Sequence, residues 1–144
     1  MLFRSVILGH TRCGAVTAVT EAALDKSKNT LEKNTASLLR PIITPVQQQI
    51  HNYPDVHGDA LIESAIKQNV YQGIGNLLGL SPTTRRLVLA RTVKIVGGVY
   101  NVDTGEIGWF NDNDGVNSWS FTVAGQYEAR PDTPKEEFAS IITG

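Results

Sequence analysis

The sequence predicts an α/β fold: a small, mostly parallel sheet flanked by helices, with an antiparallel edge strand. Three observations carry this expectation. A short β-rich apolar run at residues 3–8 breaks at Gly9 and gives way, from Gly14, to helical spacing. A long amphipathic stripe occupies the middle of the chain. A second apolar run, residues 93–102, precedes the reversal Asp103-Thr104-Gly105.

Taken in order, residues 3–8 form an apolar run ending at Gly9, which reads as a buried strand with a backbone turn after it. Val16, Val19, Ala23 and Leu24 then share one helical face. Residues 25–35 are polar and lysine-rich, as a solvated loop would be. Pro41 and Pro45 punctuate residues 38–50, which predicts a short broken helix, followed by the turn-rich HNYPDVHG. A longer helix is expected from Asp59, read as its N-cap, with Leu61, Ile62, Ala65, Ile66, Val70, Ile74, Leu77 and Leu78 on one stripe. Ser81-Pro82 is an N-cap followed by the residue favoured at the first helical position, so a second helix should cover about residues 82–90. Residues 93–102 are apolar on both faces and belong in the sheet interior, and residues 106–110 return as the antiparallel edge strand. A strand is expected at 118–123, and the proline-containing end reads as a tail. The whole, residues 1–144, is one domain with residues 111–144 as an extension.

The bulk composition narrows the function classes. A chain of 144 residues can bury about two-thirds of its unfolded surface around one core. Hydrophobic content of 41% with 19% charged residues is that of an ordinary globular protein, which argues against disorder. A formal net charge of −1 supplies no field for nucleic acid or an anionic membrane, so neither is an expected partner. The single cysteine excludes an internal disulfide, and a cytoplasmic location is expected.

His10 and Cys13 form an H-x-x-C pair in the predicted strand-to-helix turn. Zinc accepts an imidazole nitrogen and a thiolate in tetrahedral geometry, so both side chains can serve one ion. On spacing alone the pair is half a site. The competing reading is a cysteine packed under the helix with His10 hydrogen-bonded to backbone. His51 and His57, beside Asp55 and Asp59, are read as solvated loop residues instead of metal ligands. The glycines at 73, 75 and 79 fall inside a helical stripe and not between strand and helix, which rules out a dinucleotide fingerprint. Arg85 and Arg86 read as a solvated pair.

The wider segment, residues 6–16 (VILGHTRCGAV), resembles the second zinc-ligand segment of β-class carbonic anhydrases: an apolar strand, G-H-[ST]-x-C-G, then a helix starting with small residues. The likeness continues through NVYQGIGNLLGL (69–80), SPTTRRLV and TVKIVGGVYNVDTGEIGWF. These are similar to the family's long helix, connecting helix, last core strand and terminal hairpin, in the same order. The similar regions span most of residues 3–110. The resemblance implies a zinc enzyme, a carbon–oxygen lyase that interconverts carbon dioxide and bicarbonate, and a homodimer or higher oligomer. In that family two cysteines and one histidine hold Zn2+, and water or hydroxide takes the fourth position. His10 and Cys13 match two of the three protein ligands.

The sequence also departs from the family pattern. Family members carry C-x-D-x-R on an earlier strand, which gives the first ligand and an Asp–Arg pair that orients the zinc-bound water. With one cysteine, this sequence has no such segment, and no catalytic residue is assigned in it. It therefore reads as a shortened member lacking two strands of the sheet, with an unpaired strand edge, weak zinc binding and slow turnover. The alternative is a non-catalytic scaffold or oligomerisation partner derived from the family. A thiol-based role for Cys13 lacks a resolving cysteine and ranks last.

Overall fold

The computed structural model describes residues 3–25, 33–110 and 116–129 of the chain. Its elements run β1 (Phe3–His10), α1 (Gly14–Leu24), α2 (Lys33–Asn52), α3 (Gly58–Leu80), α4 (Pro82–Leu89), β2 (Val93–Tyr100), β3 (Ile107–Trp109) and α5 (Val116–Glu128). The sheet has the order β1-β2-β3. β1 and β2 are parallel, in register from Phe3 opposite Val93 to His10 opposite Tyr100. β3 turns back antiparallel, with Gly98 opposite Trp109. This is the expected mostly parallel α/β sheet with one antiparallel strand.

Helix α3 is the scaffold. Leu61, Ala65, Ile66, Val70, Ile74 and Leu78 are buried along it, and Ile62 and Leu77 are half-buried. Its stripe divides between two apolar clusters. Val70, Ile74 and Leu78 join Ile95 of β2, Val88 of α4 and Ala124 of α5. Ala65 and Ile66 join Val16 and Val19 of α1 and Leu39 and Val46 of α2. Each fully buried Leu or Ile here contributes about 1.5–3 kcal/mol of transfer free energy. The helix lies so close to β1 that a Cβ on Gly9 would stand 2.8 Å from Val70 Cγ2. Glycine at that position is what lets strand and helix approach.

Three local signals hold as read. Ser81 caps α4, its Oγ accepting from the Thr84 amide at 3.2 Å, with Pro82 in the first turn. Gly105 takes φ of 77° in the β2–β3 reversal, where a side chain would be strained. The glycines at 73, 75 and 79 all lie within α3.

Five expectations are corrected. Helix α2 runs unbroken through Pro41 and Pro45 and begins at Lys33, so residues 33–35 are not loop; residues 26–32 lie outside the described residues. Each interior proline forfeits one backbone bond, but Leu39, Ile42, Val46 and Ile50 recur at helical spacing against α1 and α3, and Pro45 is itself buried among them. Asp59 sits in the first turn of α3 and His57 is the N-cap, so the carboxylate faces the positive end of the helix without capping it. Residues 118–123 are helical, within α5, because Ser120, Ala124 and Tyr127 fall on one face that packs against α3, α4 and β2. That packing outweighs the β propensity of the local sequence. Residues 130–144 lie outside the described residues. The fourth correction concerns Arg85, which is buried at 1% exposure while Arg86 is exposed. Arg85 shares the inward face of α4 with Val88, and its guanidinium reaches the end of α3.

The fifth correction concerns the two faces of the sheet. Helices α3, α4 and α5 form one layer on the Ile95 face of β2. The other face carries Val6, Leu8 and Trp109 at 46%, 47% and 51% exposure. β2 is therefore the central strand, as read, but among the described residues it is not covered by helices on both sides. β1 touches only β2 and α3 among the described residues, so its outer edge carries no partner strand there.

Candidate metal centre

The H-x-x-C pair straddles the carboxyl end of β1. His10 is the last residue of the strand and Cys13 is the N-cap of α1, at φ −68° and ψ 105°. Between them the chain reverses through Arg12, which adopts φ of 54°. That left-handed conformation is uncommon for a residue with a Cβ and costs about 1–2 kcal/mol. The turn is tied on both sides. The Thr11 amide donates to Tyr100 O at 2.9 Å, and Thr11 Oγ1 accepts from the Val102 amide at 3.1 Å. Thr17 donates both its amide (2.9 Å) and its hydroxyl (3.0 Å) to Cys13 O, anchoring the first turn of α1.

Each candidate ligand has a defined setting. The His10 ring is exposed, and its Nδ1 lies 3.0 Å from the carbonyl of Thr11. A carbonyl only accepts, so Nδ1 carries the proton and the lone pair stays on Nε2. A histidine whose second nitrogen is held by a carbonyl is oriented as metal-ligating histidines are. Cys13 is half-buried, packs against the cluster of Val16, Val19 and Ile66, and makes no side-chain capping bond. Packing under the helix and hydrogen bonding of His10 to backbone, the competing reading of these residues, are thus both features of the turn. Neither removes a donor atom.

The donor set, one imidazole nitrogen and one sulfur, is of a kind zinc accepts and would fill two of four positions. Among the described residues no group of three or more His, Cys, Asp or Glu side chains converges to hold a metal ion. His51, in the last turn of α2, and His57, at the N-cap of α3, are both exposed. A hollow does open at this end of the sheet, walled by Thr11, Arg12, Thr17, Asp59, Glu63, Asn101 and Asp103 over Ile62 and Ile66. Its walls include Thr11 and Arg12, the two residues between the candidate ligands, but neither His10 nor Cys13.

Sequence reasoning missed the partners of the turn. Arg12 Nη1 lies 2.9 Å from Asp103 Oδ1, and Asn101 Oδ1 accepts from the amides of Asp103 and Thr104. An asparagine two residues before an aspartate in a reversal is an Asx-turn signal that could have been read. The bond from Val102 to Thr11 has no local signature.

The comparisons with known proteins fit this arrangement. The sequence model of the family described as Carbonic anhydrase matches residues 4–107. Among solved structures, the β-carbonic anhydrase CcaA superposes with a TM-score of 0.63 at 20% identity, over 76% of this chain and 47% of that one. At that identity the likeness speaks for the fold alone. No curated protein matches. The chain belongs to the carbonic anhydrase family, in its β class. It spans about half the length of the solved relative. Helix α5 lies beyond the family match.

Proposed function

We propose that this chain contributes to a zinc-dependent carbonic anhydrase centre for the reversible hydration of carbon dioxide to bicarbonate, with His10 Nε2 and Cys13 Sγ as two of the metal ligands. The observation that carries this reading is the turn itself: an H-x-x-C pair at a strand's carboxyl end, with His10 Nδ1 engaged by a carbonyl, in a chain whose match to the family covers residues 4–107. The chemistry zinc supplies in such a centre is acidification of bound water, from a pKa of 15.7 to roughly 7.

The residues present orient and shelter. Thr11 O fixes the His10 ring, and the apolar cluster beneath Cys13 keeps one side of the sulfur dry. Further donors and an orienting carboxylate are to be sought on a strand pairing with the open edge of β1, where the family carries C-x-D-x-R. The same edge and the exposed face beside it favour self-association, and the single cysteine favours the cytoplasm. Among the described residues, no helix is long and apolar enough to cross a membrane.

The test is stopped-flow CO2 hydration with added zinc, on this chain and on one extended upstream by a C-x-D-x-R strand. The chain alone should be at least 10–100-fold slower, the extension should restore turnover, and Cys13→Ser should abolish it. Equal, fast turnover by both chains, or turnover indifferent to Cys13→Ser, overturns the ligand assignment.

A further inference from the structure

We infer that Thr11 is a positioning residue for the His10–Cys13 pair, its hydroxyl locking the intervening turn to the end of β2. The inference rests on the zinc reading above and adds a residue that acts through the ligands without being one.

Arg12 holds a left-handed backbone, at φ of 54°. A positive φ at a residue with a Cβ persists only where the surroundings over-determine it. Three contacts do so here, all to the start of the β2–β3 reversal: Thr11 N to Tyr100 O, Val102 N to Thr11 Oγ1, and Arg12 to Asp103. The reversal is itself stiff, because Asn101 Oδ1 accepts two amides and Asn101 N donates to Glu106 O at 2.8 Å. The Arg12–Asp103 pair is 74% and 48% exposed, the setting in which ion pairs contribute least. The Thr11 hydroxyl bond is exposed as well, but it is the side-chain link nearest the two ligands, and removing it leaves the turn held to the end of β2 by the Thr11 N–Tyr100 O bond and the Arg12–Asp103 pair. Thr17 holds the Cys13 side from α1. With the Thr11 link gone, two contacts instead of three hold Arg12 in the left-handed region, its population there falls, and the spacing of the His10 and Cys13 donors changes with it.

The variants are Thr11→Val, which keeps the shape and loses the acceptor, Thr11→Ser, which keeps the acceptor, and Cys13→Ser. Two readouts are taken on the full chain at matched thermal stability. One is the one-bond Cα–Hα coupling of Arg12, which separates positive from negative φ. The other is titration with Co2+ alone, following the sulfur-to-cobalt charge-transfer band that Cys13→Ser should remove. Thr11→Val is expected to shift the Arg12 coupling and weaken Co2+ binding about 10–100-fold, and Thr11→Ser to restore both. Unchanged coupling in Thr11→Val, or a loss that Thr11→Ser does not restore, overturns the inference. A wild-type chain without the charge-transfer band defeats the zinc reading, while a shifted coupling in Thr11→Val still supports the positioning role.

Discussion

Arg85 Nη1 donates to the carbonyl of Leu78 at 2.7 Å and to that of Gly79 at 3.1 Å, so a side chain of α4 caps the end of α3. Its guanidinium also lies 5.8 Å from the centre of the Tyr127 ring, which brings α5 into the same junction. A cation at a helix C-terminus satisfies orphan carbonyls and complements the macrodipole. Arg85→Met should therefore cost about 1.5–3 kcal/mol in urea unfolding, whereas Arg86→Ala should stay within about 0.5 kcal/mol. Equal effects at the two positions would contradict this capping role.

The core makes a second contrast. Ile74 is fully buried where α3 meets β2 and α5, while Leu80 at the end of the same helix is 82% exposed. Ile74→Ala should lower stability by about 2–5 kcal/mol, and Leu80→Ala should be close to neutral. Chemical denaturation of both variants checks the placement of the helix.

Gly9 offers a test of strand–helix approach next to the site. A methyl group there would sit 2.8 Å from Val70 Cγ2 and 3.2 Å from Ile66 Cγ2. Gly9→Ala should cost about 1–3 kcal/mol, and the penalty should shrink in a Val70→Ala background. Additive effects in that double-mutant cycle would mean that the two residues do not touch.

Assembly is testable at the open face. Val6 and Leu8 are about half exposed on an edge strand, and light scattering at micromolar concentration should show self-association. Val6→Lys combined with Leu8→Lys should yield monomer with the fold intact by circular dichroism. A wild-type monomer that binds no hydrophobic dye would refute it.

What was legible in the sequence is what local chemistry writes. Ser81-Pro82 marks a helix start, Gly105 a positive φ, and the stripe from Leu61 to Leu78 a helix with one buried face. The H-x-x-C turn is likewise visible, because strand, turn and helix follow one another directly. The errors lie where distant packing overrides local preference. Pro41 and Pro45 sit in a helix held by α1 and α3, residues 118–123 become helical against the core, and Arg85 turns inward because carbonyls of α3 await it. The contact of Thr11 with Val102 joins residues 91 positions apart, which no spacing rule reaches.

The parallel pairing of Phe3 with Val93 has a consequence for biogenesis. β1 leaves the ribosome long before the strand it pairs with, and at 5–20 residues per second the wait is roughly 5–20 s. During that interval the described residues offer this apolar strand only helices α1 to α4 for shelter, and of these it packs against α3 alone. Such a nascent chain is a natural client for a holding chaperone, and closure of its longest loop should set the pace of folding.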